Sequence, residues 1–289
     1  MTQNTIKIDV GGPVLSLTGG HAVYLDGLKH TDWQNHKLLE AAKTLPRNFT
    51  YLDVGANIGA TALAIAALFP EATIFAFEPV PTNLAHLRQN IASNRIENCH
   101  VIASAIGDAR STVTITDNGP WSAILEKSSG VKVPVITLDD FCRQSLGTRK
   151  VDLLKIDVEG YEPKVLRGAA RTLREMRPLL VMEFNSWTLV EQEQSPVQFA
   201  KMIFENFEVT GDEASYADKP DRFVHDNIVH HGCIDDLVMR PKQGLPQINA
   251  FTMEIDQLHA ELEAMKTSTS WRITTPIRSI KTLFLKLLR

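Results

Sequence analysis

The sequence predicts an α/β protein with a doubly wound, mostly parallel sheet and a helical C-terminal extension. Three observations carry that expectation. Between residues 49 and 240 short apolar runs alternate with longer helical patterns, the order expected when helices cover both faces of a parallel sheet. A glycine-bearing turn, Gly55-Ala56-Asn57-Ile58-Gly59, follows the first apolar run, where open α/β sheets place their ligand sites. The 289 residues are 44% hydrophobic and 22% charged, a balance that supplies a buried core and excludes global disorder.

Periodicity and punctuation define the elements. Residues 49–54 read as a first buried strand and 59–69 as the helix after the turn. Residues 73–77 form a second strand, closed by Glu78-Pro79. Over 81–94, Leu84, Leu87 and Ile91 recur at helical spacing, and Pro81 suits a first helical turn. Residues 99–103 are a third strand, and 113–115 with 131–136 look like a strand pair inserted into the main pattern. Residues 151–156 and 179–182 are the fourth and fifth strands, with a helix over 163–176 between them. A helix over 197–204, a short strand at 208–210 and a last strand at 237–239 complete the domain, which spans 49–245. Residues 1–48 are an extension expected to pack on this core, with a helix over 33–45.

Past residue 245 the chain changes character. Ile248, Phe251, Ile255, Leu258, Leu262 and Met265 alternate spacings of three and four. This is a heptad seam over 246–266, too short to be stable without a partner. Over 267–289 basic residues mix with Trp271, Ile273, Leu283, Phe284 and Leu287, and no acidic residue follows Glu263. That pattern is a basic amphipathic tail.

Bulk properties exclude several function classes. A net charge of −4 gives no general attraction to nucleic acid. Cys99, Cys142 and Cys233 are odd in number and lack metal-ligand spacing, which suits a reducing cytoplasm. Residues 1–10 lack the apolar run of a signal peptide, and no apolar stretch is long enough to span a membrane. The expectation is a cytoplasmic protein.

The turn in full is Leu52-Asp53-Val54-Gly55-Ala56-Asn57-Ile58-Gly59. Gly55 permits a tight turn, and Gly59 lets the helix approach the strand. A dinucleotide site would carry a glycine where Asn57 stands, so that backbone can touch a pyrophosphate. Asp53 adds a negative charge at the strand end, unwelcome to a pyrophosphate and favourable to a cation. S-adenosylmethionine carries an ammonium and a sulfonium and no phosphate, so these residues favour it over NAD. Glu78, ending the second strand, can accept both ribose hydroxyl hydrogens. An ordinary tight βα loop accounts for the glycines alone but not for Glu78 beside them.

A second constellation, Lys155-Ile156-Asp157-Val158-Glu159-Gly160-Tyr161-Glu162, ends the fourth strand. Asp157 and Glu159 are therefore expected in the cleft, where a carboxylate can remove the proton of an attacking hydroxyl. Capping the next helix, or holding a ligand amino group, is the alternative use of these acids. Glu183 and Asn185, after the fifth strand, would complete an oxygen set for Mg²⁺ with Asp157. Such sets also arise without metal, and no metal is assigned. His230-His231 is a weaker candidate base, and Asp108 in Ala105-Ile106-Gly107-Asp108 a candidate near the adenine.

At these positions the chain resembles the FkbM family of methyltransferases. The matching pieces are the Asp53–Gly59 turn, Phe77-Glu78-Pro79, Ala105-Ile106-Gly107-Asp108, Thr137-Leu138-Asp139 and the segment from Lys155 to Glu162. The likeness covers about residues 48–210. It implies a Rossmann-like, class I methyltransferase fold, S-adenosylmethionine as donor and, most often, O-methylation. Carried onto this chain, it makes Asp53, Gly55, Asn57, Gly59 and Glu78 donor-binding residues, with Asp108 beside them, and places Asp157 and Glu159 at the reacting groups.

Family acceptors are diverse, but residues 268–278 resemble a segment found near coiled-coil pieces in bacterial surface-polysaccharide glycosyltransferases and their partners. That points to a sugar hydroxyl on a glycan as acceptor. The expected partners are then a glycosyltransferase or a second copy on 248–265, and an anionic membrane surface along 266–289. Two other readings compete. An NAD-linked oxidoreductase is disfavoured by Asn57, and a non-catalytic adaptor by the intact cleft carboxylates.

Overall fold

A computed structural model describes residues 4–116 and 130–244. The heptad seam over 248–265 and the basic tail over 266–289 lie outside the described residues. The chain opens with an antiparallel hairpin of β1 (Asn4–Asp9) and β2 (Val14–Gly19), which the sequence pattern did not announce. Asp9 Oδ1 closes its turn by accepting the amides of Gly11 and Gly12 at 2.9 and 3.0 Å. Next come α1 (Ala22–His30), a 3₁₀ turn at Trp33–Asn35 and α2 (Lys37–Lys43). The single helix expected over 33–45 is broken because Asp32 caps the 3₁₀ turn and His36, extended at ψ 124°, caps a new helix.

The main domain begins with β3 (Thr50–Val54), α3 (Ala60–Leu68), β4 (Thr73–Phe77), α4 (Pro81–Ser93) and β5 (Cys99–Ile102). Then β6 (Ala105–Ile106), β7 (Ser111–Ile115) and β8 (Val131–Ile136) form a separate three-stranded sheet, in which β7 and β8 are the antiparallel pair anticipated from sequence. The chain continues as α5 (Leu138–Ser145), β9 (Leu153–Ile156), α6 (Glu162–Gly168), α7 (Ala170–Met176) and β10 (Leu179–Asn185). The described residues end with α8 (Ser186–Glu191), α9 (Pro196–Asn206), β11 (Phe207–Thr210), α10 (Pro220–Val229) and β12 (Ile234–Pro241). The helix expected over 163–176 is two helices meeting at Ala169. At the junction a Cβ on Gly168 would stand 1.9 Å from the Gly107 carbonyl oxygen, so only glycine fits there.

Seven strands lie in the order β11-β12-β10-β9-β3-β4-β5. From β10 to β5 every pair is parallel, and β12 runs antiparallel to both its neighbours. This is the doubly wound, Rossmann-like sheet. Strand residues alternate between two cores. Leu52, Leu154, Ile156 and Met182 face α5, α6, α7 and α9 on one side. Tyr51, Leu153 and Val181 face α2, α3 and the hairpin on the other. Among the described residues no helix is long and apolar enough to cross a membrane.

Two asparagines one turn apart, Asn90 on α4 and Asn94 at its C-cap, fasten the hairpin to the domain. Asn90, fully buried, accepts the Thr18 amide at 2.8 Å and donates to the Thr18 and Ile58 carbonyls at 3.0 and 2.9 Å. Asn94 accepts the Ser16 amide and donates to the Ser16 carbonyl, both at 2.8 Å. Their amides stand in for a neighbouring strand along the open side of β2. The N-terminal segment is thereby held over the domain. Within the sheet, the chain leaves β3 toward β4 and later returns to β9 on the other side, so a crevice opens at that reversal of strand order.

Candidate functional site

A cleft of about 370 Å³ lies over the carboxyl ends of β3, β4, β9 and β10. One wall begins at Gly55, whose φ is +88° and where a Cβ would stand 1.9 Å from the Asp157 carbonyl oxygen. The Gly55 and Ala56 amides both donate to the Phe77 carbonyl, at 3.1 and 3.0 Å, which ties this turn to the end of β4. Asn57, itself left-handed at φ +53°, donates its amide to Glu78 Oε2 at 2.8 Å. Glu78 Oε1 accepts the Val80 amide, also at 2.8 Å. Each carboxylate oxygen thus keeps acceptor capacity for a ligand hydroxyl. Burial pushes Glu78 up to about 7, against the pull of the Val80 and Asn57 amides.

The opposite wall is the loop after β9. Glu159 sits at φ +54° and Gly160 at φ +91°, where a Cβ would stand 2.3 Å from the Thr188 carbonyl oxygen. Buried Glu162 holds the loop from inside, its Oε1 accepting the Val158 and Gly160 amides at 3.0 and 3.3 Å. Asp157 and Glu159 both line the cleft. Burial, then Asp157, pushes Glu159 up to about 8.

A chain of charges runs from the cleft lining into the interior. Lys155 Nζ lies 2.9 Å from Asp157 Oδ2 and 3.6 Å from Asp53 Oδ1. Thr61 Oγ1 donates to Asp53 Oδ2 at 2.8 Å. Burial opposes the Lys155 charge, but Asp157 and Asp53 outweigh it and hold the ammonium protonated.

Of the eight residues singled out from sequence, Gly55, Asn57, Glu78, Asp157 and Glu159 line the cleft. Asp53 is 0% exposed and is not among the lining residues; it meets the cleft through Lys155 and Thr61. Gly59 also stands back from the cavity. It opens α3 at φ +94°, and a Cβ there would meet Leu87 Cδ1 at 2.5 Å, so its task is close helix packing. Asp108 is not among the lining residues and pairs with Arg167 at 3.1 Å.

The weaker candidates also resolve. Asn185 does not join Asp157 and Glu183 as a ligand set, because its Oδ1 caps α8 by accepting the Trp187 and Thr188 amides. Among the described residues no group of three or more histidine, cysteine or acidic side chains is arranged to hold a metal ion. His231 pairs with Asp235 at 2.9 Å and His230 lies 3.7 Å from Asp226; neither lines the cleft.

Sequence reasoning missed the rest of the lining. Tyr24, Trp33 and His36 arrive from the N-terminal segment, and Asp236 from β12. His36 stacks on Trp33 with ring centroids 5.2 Å apart, and burial pulls its pKa down. Its Nδ1 accepts the Leu38 amide, so the neutral ring carries its proton on Nε2. Asp236 stands directly opposite Glu183 in the β10–β12 ladder, a pairing that no short window of sequence reveals. Burial, then Asp157, pushes Glu183 up to about 9, and the same two causes raise Asp236.

Residues 53–211, more than half of the chain, match the family described as Methyltransferase FkbM domain. Methyltransferase 1 of Beauveria bassiana is 26% identical over 147 residues, covering 43% of this chain and 59% of its own length. The 2-O-methyltransferase NoeI of Sinorhizobium fredii is 27% identical over 179 residues, 55% of this chain and 72% of its own. The hexuronic acid methyltransferase AglP of Haloferax volcanii is 31% identical over 135 residues, 45% of this chain and 53% of its own. The chain therefore spans little more than half the length of two of these three relatives. The matched segment holds the Gly55 turn, Glu78 and the Asp157–Glu159 loop, all of which converge on the one cleft: the chain belongs to the FkbM family of methyltransferases.

Proposed function

We propose that this chain moves the methyl group of S-adenosylmethionine onto a sugar hydroxyl during assembly of a glycan. The observation that carries the reading is the Glu78 carboxylate, anchored by the Asn57 and Val80 amides, facing Asp157 and Glu159 across one cleft. The residues fit the donor. Glu78 offers buried acceptor positions for two ribose hydroxyls, and the acids opposite favour a cation. When bound, the donor supplies an electrophilic methyl on a sulfonium. The rest falls to this chain. Glu78 orients the ribose, and Lys155 fixes the carboxylate of Asp157 at 2.9 Å. Asp157 or Glu159 takes the proton of the acceptor hydroxyl; a carboxylate titrating near 8 is a stronger base than an ordinary one. Positioning supplies most of the remaining rate. Oxygen as the receiving atom is supported by the name of the Sinorhizobium relative, and a sugar by that of the Haloferax relative.

The test supplies the full chain with tritiated S-adenosylmethionine and fractionated cell-surface glycan. Label is expected in the glycan, and Asp157→Asn is expected to lower turnover by about 10²–10⁴ while calorimetric donor affinity stays within a few-fold. Absence of donor binding would refute the reading, and reduction of NAD by the same fractions would replace it with the oxidoreductase.

A further inference from the structure

Glu183 and Asp236 face each other directly across antiparallel β10 and β12. Like charges in that position destabilise a sheet. Both side chains line the cleft, and Glu183 Oε2 is buried without a hydrogen-bond partner. Lys155 pairs with Val181 in the β9–β10 ladder, so two residues further along come Asp157 and Glu183, which extends the acidic row across three strands. Burial and Asp157 push Glu183 up to about 9, so at neutral pH it keeps its proton and the wall resists any further negative charge.

The groups that ease the charge of Asp236 are His36, Lys155 and Lys37. Among the described residues lining the cleft there is no arginine and no lysine besides Lys155. Lys155 is committed to Asp157 and Asp53. A carboxylated ligand is held best by a guanidinium or a free ammonium; among the described residues Lys37 is paired with Glu213 at 2.6 Å, and burial keeps His36 toward its neutral form. A sugar hydroxyl, by contrast, can donate to a charged carboxyl and accept from a protonated one.

Resting on the methyltransferase reading above, we propose that the acceptor is a sugar ring without a carboxylate, selected by the facing carboxyl groups of Glu183 and Asp236 on the cleft wall. Asp236 lies outside the segment matched to the family, as do Trp33 and His36 beside it. Acceptor choice is thus set in part by residues of this chain beyond the matched segment.

Donor binding to the full chain is measured first, by calorimetry; its absence overturns the methyltransferase reading itself. The chain and tritiated donor are then given nitrophenyl glycosides of neutral hexoses, 6-deoxyhexoses and N-acetylhexosamines beside the matching uronides. Label is expected in neutral glycosides at a rate at least about 100-fold above the uronides. In Glu183→Gln/Asp236→Asn that ratio is expected to fall at least about ten-fold, with unchanged donor affinity as the check on folding. Uronides labelled as fast as neutral glycosides, or no glycoside labelled while donor binds, overturns the proposal.

Discussion

Replacing Lys155 by methionine keeps most of the side-chain volume and deletes the one charge between Asp53 and Asp157. Asp157 has a 38% exposed side chain and can turn to solvent, but Asp53 is 0% exposed. What remains to Asp53 is the 2.8 Å bond from Thr61. Removing one partner of a buried pair strands the other charge, at about 3–5 kcal/mol. At about 2–4 °C per kcal/mol for a domain of this size, the melting temperature should drop by roughly 6–20 °C. The added variant Asp53→Asn should recover most of that loss, because an amide can still accept from Thr61 and carries no charge to strand. Urea unfolding of both single variants and the double variant forms a closed cycle. If Lys155→Met costs less than ~1 kcal/mol, or if Asp53→Asn adds to its cost instead of cancelling it, then the buried pair does not organise this site.

Two further outcomes follow from the cleft geometry. Gly55→Ala should lose at least ~2 kcal/mol of stability, since its Cβ would overlap the Asp157 carbonyl at 1.9 Å, whereas Gly147→Ala, with φ +59° and no atom within 4 Å, should lose about 1 kcal/mol or less; equal losses in urea unfolding would contradict the close approach. Glu78 is raised from its ordinary 4.5 to about 7, so the folded state holds its proton more tightly, and that contribution to stability is full below 4.5 and is lost as pH rises through about 7. Donor binding runs the other way: the ionised form accepts the ribose hydroxyls, so calorimetric affinity should rise about ten-fold from pH 6 to pH 8 and flatten in Glu78→Gln.

The sequence alone determined the strand–helix alternation, because burial on two faces writes near-continuous apolar runs such as Leu179–Met182 into local sequence. It also located the Gly55 turn, Glu78 and the Asp157–Glu159 loop, since tight turns demand glycine and strand ends demand polar residues. Short helices escaped it: α5, α8 and α10 run eight, six and ten residues and draw their stability from packing on the sheet. Only the tertiary structure decided what each acid does. Asp53, read as a donor ligand, is sealed under the cleft because β3 and β9 pair it with Lys155. Asp236 and His36 entered the site because β12 and the N-terminal segment fold back over it, bringing together residues 200 positions apart. Register between strands and the packing of a distant segment are long-range facts, and no local pattern of residues encodes them.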